Sequence, residues 1–478
     1  MPHDLSPSGT DSLQMMKSRS DTLLGLILVV SSLVFVQNLR AGPQLTPDKT
    51  TAPFGNQIRT ENKTGYKNKT WTERMENRFG GQLTLEGNAT GYDAGSYFDP
   101  VGTHTGTDGL VLVRLTDTLI VSEHIYFEAH YEAFARSGDT YKKQAAIQKY
   151  VPSPARDLIS DSLNIDRRRL FNLTRTLEET DDHILWHRFD RLFFSIKPSW
   201  GDILFGRQAI TWGNGFIFNP MDIFNPFAPS DVVRDYKMGD DLMSLRLNTD
   251  LFGECNLIYV PRRDIVTNDI DFNESSVAGK FHVFAGSREM DIMGAWHYGE
   301  IVFGLGETGI FKDAAWRTDF VWSTLEKGKD LNGYFQFVAN MDYSWIWFGK
   351  NMYGLVEYYH NSLGKHNYTK ALADPESLER IDRGELFVLG KNYVSALLQM
   401  ELTPLLNVYL NVISNVRDPS AMIQPRMILS MTQNSTLHFG ASLFYGKKQS
   451  EFGGFLIPGT PYYTNAALNA YLRFTYYF

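Results

Sequence analysis

The chain has 478 residues, a formal net charge of −8, 43% hydrophobic and 14% aromatic residues, and one cysteine, Cys255. A mean hydropathy of −0.26 excludes a bundle of membrane-spanning helices, and the acidic balance without a basic patch argues against a nucleic-acid partner. One cysteine excludes an internal disulfide and a cysteine-rich metal site, leaving a small buried or lipid-facing side chain.

At the N-terminus, Lys17 and Arg19 precede an apolar run from Thr22 to Val36, and Ala41 follows soon after. The run is about fifteen residues, short of the roughly twenty that a spanning helix needs. Basic start, apolar middle and small residue near the end are the outline of a secretory signal peptide, predicted over 1–41. Met15 or Met16 is a tidier start than Met1, because the segment ahead of them is polar. The alternative is an uncleaved anchor helix. Residues 42–78 are polar, aperiodic and rich in Thr, Asn and Lys, so they read as a periplasmic leader without a core of its own.

From 79 to 478 the chain reads as one β-domain of alternating segments. Predicted strands are 79–91, 110–119, 124–136, 185–197, 202–211, 241–250, 254–262, 276–286 and 290–298 in the first half. They continue at 300–308, 313–323, 333–342, 350–361, 392–402, 405–415, 421–432, 436–446 and 466–478. Each is near the nine to eleven residues that cross a bilayer at a steep tilt. The count is about eighteen, or sixteen if the weaker pattern around 298–312 and 342–350 is discounted. Short connections such as 252–253 and 403–404 alternate with long ones at 92–109, 137–184, 212–240, 263–275, 362–391 and 447–465. The predicted fold is all-β: a transmembrane antiparallel β-barrel with short periplasmic turns and long extracellular loops. A soluble sheet protein would need a second sheet over its aromatic faces and gives no reason for the loop asymmetry.

Several strands show which face meets water. Glu128, His130, Glu132 and Arg136 alternate with Phe127, Ala129, Tyr131 and Ala135. Lys280 and His282 alternate with Phe281 and Val283, and Arg317 and Asp319 with Trp316 and Phe320. A lipid-facing Lys or Arg at mid-depth costs about 2–4 kcal/mol. The predicted lumen lining is therefore Glu128, His130, Glu132, Arg188, Arg246, Lys280, His282, Arg317, Asp319 and Arg473.

The stretch after Gly206-Arg207-Gln208 breaks the pattern. It runs Trp212-Gly213-Asn214-Gly215, then Phe216-Ile217-Phe218-Asn219-Pro220-Met221-Asp222-Ile223-Phe224-Asn225-Pro226-Phe227, with Pro229 and Asp231 beyond. Three prolines cannot continue a strand, and so many apolar side chains are poorly placed in water. The segment 212–240 is expected to fold into the barrel and narrow it; capping the barrel from outside, or touching a neighbouring subunit, is the alternative. Constriction candidates are Arg207, Gln208, Trp212, Asn214, Asn219, Asp222, Asn225 and Asp231.

These motifs resemble the porin-like outer-membrane proteins related to the alginate-export family and to large uncharacterised barrel families. Those show a similar Gly-Arg-Gln strand end, then Trp-Gly, then an Asn-Pro-x-Asp-x-x-Asn-Pro loop. Asp313-Ala314-Ala315-Trp316-Arg317, Asp342-Tyr343, Glu357-Tyr358-Tyr359-His360-Asn361 and Asn415-Val416-Arg417-Asp418-Pro419-Ser420 continue the likeness in the same order. Alginate exporters carry an arginine-lined duct for a polyanion. Here acidic residues share the predicted lumen with the arginines, so polyanion export does not carry over.

In the last segment, Leu468, Ala470, Leu472, Phe474, Tyr476 and Phe478 fall on one face and Asn469, Tyr471, Arg473 and Thr475 on the other. It resembles the closing strand of bacterial outer-membrane barrels, whose last residue is usually Phe. That implies a barrel-closing role for Phe474, Tyr476 and Phe478, read also by the barrel-assembly machinery.

No Gly-x-Ser-x-Gly elbow, His-Glu-x-x-His helix or phosphate-cradling loop is present. Glu128, His130 and Glu132 would need a partner from another strand to hold a metal, and read as a hydrated wall. No catalytic residue, metal or cofactor is predicted. The expectation is a Gram-negative outer-membrane channel for passive passage of small hydrophilic or amphipathic solutes. Its expected contacts are membrane lipid, lipopolysaccharide phosphates through Arg167-Arg168-Arg169, and further copies of itself. The other classes are a structural sheath for a periplasmic or electron-transfer partner and an outer-membrane hydrolase.

Overall fold

The computed structural model describes residues 75–478 except 97, 100–101, 103, 150–165, 230–235, 250–252, 326–331, 459–460 and 465–467. The predicted signal peptide 1–41 and the leader as far as 74 lie outside the described residues. In chain order the strands are β1 (Glu76–Gly91), β2 (Thr105–Ser122), β3 (Ile125–Gly138), β4 (Thr174–Glu179), β5 (His183–Ile196), β6 (Gly201–Gln208) and β7 (Asp240–Thr249). Next come β8 (Gly253–Arg263), β9 (Ile270–Ala285), β10 (Arg288–His297), β11 (Glu300–Phe311), β12 (Ala314–Thr324) and β13 (Gly333–Trp347). The last are β14 (Lys350–Asn361), β15 (Asn392–Thr403), β16 (Leu406–Asn415), β17 (Ser420–Thr432), β18 (Ser435–Tyr445) and β19 (Asn469–Tyr477). Among the described residues three helices sit in the long connections: α1 (Asp139–Lys149), α2 (Tyr368–Ala371) and α3 (Pro375–Asp382).

β1 pairs antiparallel with β2 on one edge and with β19 on the other, from Gln82 opposite Tyr477 to Thr90 opposite Asn469. The sheet thereby closes on itself, leaving no edge to hydrogen-bond in hydrocarbon. Each of the eighteen predicted strands is present. The outer face is apolar: Leu85, Phe127, Phe194, Phe205, Ile292, Phe303 and Phe320 are exposed there. Side chains one position along, such as Glu86, Asp291 and Asp319, are buried within the barrel. Cys255 lies half-exposed on the outer row, opposite Leu247.

At the periplasmic rim the described connections are tight: 123–124, 197–200, 286–287, 312–313, 348–349, 404–405 and 433–434. The extracellular rim carries 92–104, 139–182, 209–239, 362–391 and 446–468. The two stretches where alternation fades contain hairpin turns. Tyr298 and Gly299 have φ of 49° and 79°, and Phe348 and Gly349 have 48° and 69°. Two consecutive left-handed residues form the turn that matches strand twist, so the strands on either side pair directly. The barrel has eighteen strands, not sixteen.

β4 is the one strand the periodicity does not predict. β5 pairs with β3 along its whole length, but its other edge is shared: β6 covers Leu192–Ile196 and β4 covers Ile184–Arg188. β6 stops at Gln208 and β7 starts at Asp240, so both stop short of the extracellular rim. The segment from Asp166 through β4 fills the wall above them, reaching β8 through the Arg169–Arg262 bridge.

Candidate functional site: a loop folded into the lumen

Where β6 ends, residues 209–229 leave the wall and cross to the inner faces of β11 to β14. Pro220, Pro226 and Pro229 lack the N–H groups a strand would need. The loop is held at its far side by carboxylates. Asp319 on β12 accepts the Asn214 backbone N–H at 2.6 Å and its Nδ2 at 2.8 Å. Glu357 on β14 accepts three consecutive backbone N–H groups, from Phe216 at 2.8 Å, Ile217 at 3.1 Å and Phe218 at 2.7 Å. Asn340 on β13 donates to the Asn214 carbonyl at 3.1 Å. The strap turns tightly enough that a Cβ at Gly215 would lie 1.9 Å from the Phe218 carbonyl oxygen.

Apolar packing seats the rest. Trp212, Met221 and Phe224 are buried with Leu242, Ile258, Val260, Ala278, Met293, Val302 and Val321 from β7 to β12. Phe218 stacks on Tyr359 with centroids 4.3 Å apart and planes 3° from parallel, beside Val338, Tyr393, Ile413 and Met422. Fully burying such side chains gives roughly 1.5–3 kcal/mol each, so the apolar loop packs inside the wall rather than standing in water. The two legs are joined by Lys237, whose Nζ lies 2.5 Å from Asp222 Oδ1. Burial pushes the Asp222 carboxyl up to about 6, although Lys237 pulls it the other way.

A second loop, 362–391, folds over the same side of the lumen through α2 and α3. Arg380 on α3 meets Glu300 on β11 with two bonds of 2.8 Å, and also reaches Glu376, Glu385 and the Tyr334 hydroxyl. Burial opposes ionisation of Glu385, but His297 and Arg380 outweigh it and hold the carboxyl down at about 2. From the last long loop, 446–468, Glu451 accepts the Leu389 N–H at 2.5 Å and Asn415 Nδ2 at 2.7 Å.

The constriction candidates fall in three places. Trp212, Asn214, Asn219, Asp222 and Asn225 belong to the infolded segment, with Asn219 Nδ2 closing its neck onto the Trp212 carbonyl at 2.8 Å. Arg207 and Gln208 sit in the wall at its root. Every Arg207 N–H is taken: Asp241 at 2.7 and 3.0 Å, Asp166 at 2.9 Å, and the Phe171 and Phe189 carbonyls at 2.7 and 3.3 Å. Asp231 lies outside the described residues.

The lumen candidates form ion pairs on the inner wall. Glu132 takes Arg114 and Arg188, each at 2.6 Å, and Glu128 lies 3.1 Å from His130. Asp190, set inward by a bulge opposite His130 and Tyr131, joins Arg114 at 3.1 Å and Arg191 at 2.8 Å. Arg246 pairs with Asp202 at 2.9 Å, and Lys280 and His282 with Asp291 at 3.1 and 3.0 Å. Arg317 pairs with Asp342 at 2.8 Å and lies over the Phe216 ring. Arg473 pairs with Glu86 across the β1–β19 seam, where Phe474 and Tyr476 face outward and the Phe478 N–H bonds the Gly81 carbonyl at 3.0 Å. Among the described residues no three His, Cys, Asp or Glu side chains are placed to hold a metal ion.

Sequence reasoning missed Glu357, Asn340, Glu300, Arg380 and Glu451 as site residues. Glu357 carried a signal: it stands alone between the exposed Val356 and Tyr358, so its carboxylate points inward.

Fold and site together define a transmembrane β-barrel with a long extracellular loop folded into its lumen. No protein-family model and no curated protein matches the chain. Among solved structures it is similar to OccAB2 of Acinetobacter baumannii, at 10% identity and a TM-score of 0.48, covering 84% of this chain and 98% of that one. A BenF-like porin from Pseudomonas fluorescens Pf-5 gives 9% identity and 0.48 over 84% and 98%. OccK7 (OpdD) of Pseudomonas aeruginosa gives 8% and 0.46 over 84% and 99%. The strand pairing, rather than these likenesses, defines the fold.

Proposed function

We propose that the protein is a porin-like channel of a Gram-negative outer membrane, passing small hydrophilic or amphipathic solutes without catalysis and narrowed by residues 209–239. The observation that carries this reading is the Glu357 latch. A strand carboxylate takes three backbone amides of the loop, an arrangement that holds the loop across the lumen. Partly exposed paired charges on the inner wall, Glu128–His130 and Asp202–Arg246, suit a hydrated path for solutes of either sign. In this reading residues 1–41 are a cleaved export signal and 42–75 a periplasmic leader, shorter than the 42–78 expected from the sequence because Glu76 to Arg78 already belong to β1. β19 serves the assembly machinery, and copies of the barrel associate in the membrane. The expected lipopolysaccharide contact through Arg167 to Arg169 is not kept, because Arg169 is buried against Asp166 and Asp240 and Arg168 is paired with Glu274 and Asp382. A sheath around a partner chain is the weaker reading, because the loops after β6 and β14 occupy space such a partner would need. Planar-bilayer recording tests the proposal: steady conductance in potassium chloride supports it, and a silent, correctly folded barrel contradicts it.

A further inference from the structure

Between the infolded loop, residues 380–387 and the inner wall of β10 to β14 lies a chamber with about 50 Å³ of room for the centres of water-sized spheres. At roughly 10–15 Å³ per water on that measure, it takes about four waters, or a solute of about four or five heavy atoms. Its walls are aromatic: Phe218 and Phe227 from the loop, Tyr334 and Tyr359 from the barrel, and Phe387. Its charged lining is the carboxylates Glu300 and Glu385 against the guanidinium of Arg380, with Asp222 already matched by Lys237.

That guanidinium is already committed. Nε goes to Glu376, Nη1 to Tyr334 and Glu385, and Nη2 to both oxygens of Glu300, so no N–H remains for an anion. Around it four carboxylates, Glu300, Glu376, Glu379 and Glu385, face two guanidiniums, Arg380 and Arg383. Glu385 Oε1 is buried without a hydrogen-bond partner among the described residues, 3.4 Å from His297 Nε2. The ring surfaces accept positive charge: Arg380 itself lies over Tyr334, 4.5 Å from the centroid. Aromatic walls with surplus negative charge attract cations through ring quadrupole and carboxylate together, most strongly where water is excluded.

We propose that this chamber is a binding station for small organic ammonium ions, recognised by the five rings and the Glu300–Glu385 carboxylates. Its role as a station on a solute's route rests on the channel reading above; the binding does not.

The test is calorimetric titration of the whole barrel in detergent with tetramethylammonium chloride, with sodium acetate as the anion of similar size. Saturable binding of tetramethylammonium and none of acetate is expected. Phe227→Ala and Phe387→Ala, each checked for folding by circular dichroism, should each weaken binding about tenfold. No saturable binding, equal binding of acetate, or undiminished binding in both folded variants would overturn the chamber. Potassium chloride conductance of the same preparation separates the two readings. Conductance without tetramethylammonium binding overturns the chamber alone, whereas binding without conductance upholds it and removes the channel.

Discussion

Glu357 and Phe218 are 139 residues apart in sequence, yet the Phe218 backbone N–H donates to Glu357 Oε1 at 2.7 Å. The adjoining amides of Phe216 and Ile217 meet the same carboxylate. A chain that leaves the wall between β6 and β7 is thus tied to β14. Each buried amide left without an acceptor costs about 1–3 kcal/mol, so the tie is substantial.

The strap depends on Gly215 as well. A methyl group there would press on the Phe218 carbonyl, which is backbone and cannot step aside. Gly215→Ala should therefore loosen residues 209–229 while leaving the strands paired. Limited proteolysis of the detergent-solubilised barrel should show faster cleavage in this loop and unchanged resistance of the wall. Equal cleavage rates in the variant and the native protein would contradict the strap.

Arg207 belongs to the wall rather than the pore. Removing one partner from a buried, fully bonded pair costs about 3–5 kcal/mol, because the other charge is left unpaired. Arg207→Ala should lower the denaturant midpoint of the barrel markedly. Arg207→Lys should recover little, since an ammonium cannot reproduce the planar pair of hydrogen bonds to Asp241. Full recovery by lysine would show that only charge matters at this position.

Asp222 supplies a pH dependence. Its folded carboxyl titrates at about 6, above the ordinary aspartate range near 4. A raised folded value means that the folded state binds the proton more tightly than the unfolded state. The stabilisation is complete below about pH 4 and is lost as pH rises through 6, a swing of about 3 kcal/mol. Subtracting the unfolding curve of Asp222→Asn from that of the native protein should isolate this trend. A difference that is flat between pH 4 and 7, or that grows with pH, would refute it.

Much of the fold was legible because a barrel wall imposes period two on every strand, and a mid-depth charge such as Arg473 can only face inward. The infolded loop was legible through its prolines and aromatic residues. β4 was not: Thr-Arg-Thr-Leu-Glu-Glu has no apolar face, and its place follows from the wall left open above Gln208. Arg207 looked like a pore residue because it precedes the loop, whereas its neighbours in space are Asp166 and Asp241. The latches were hidden for a different reason. Alternation shows that Glu357 and Asp319 point inward, but their partners are backbone amides about a hundred residues or more away, which no local pattern encodes.

Single-channel recording of the native protein beside Glu357→Ala tests the central claim most directly. Releasing the three amides should free the loop from β14, giving larger and noisier conductance than the native channel. Identical conductance in the two proteins, or silence in both, would contradict the account.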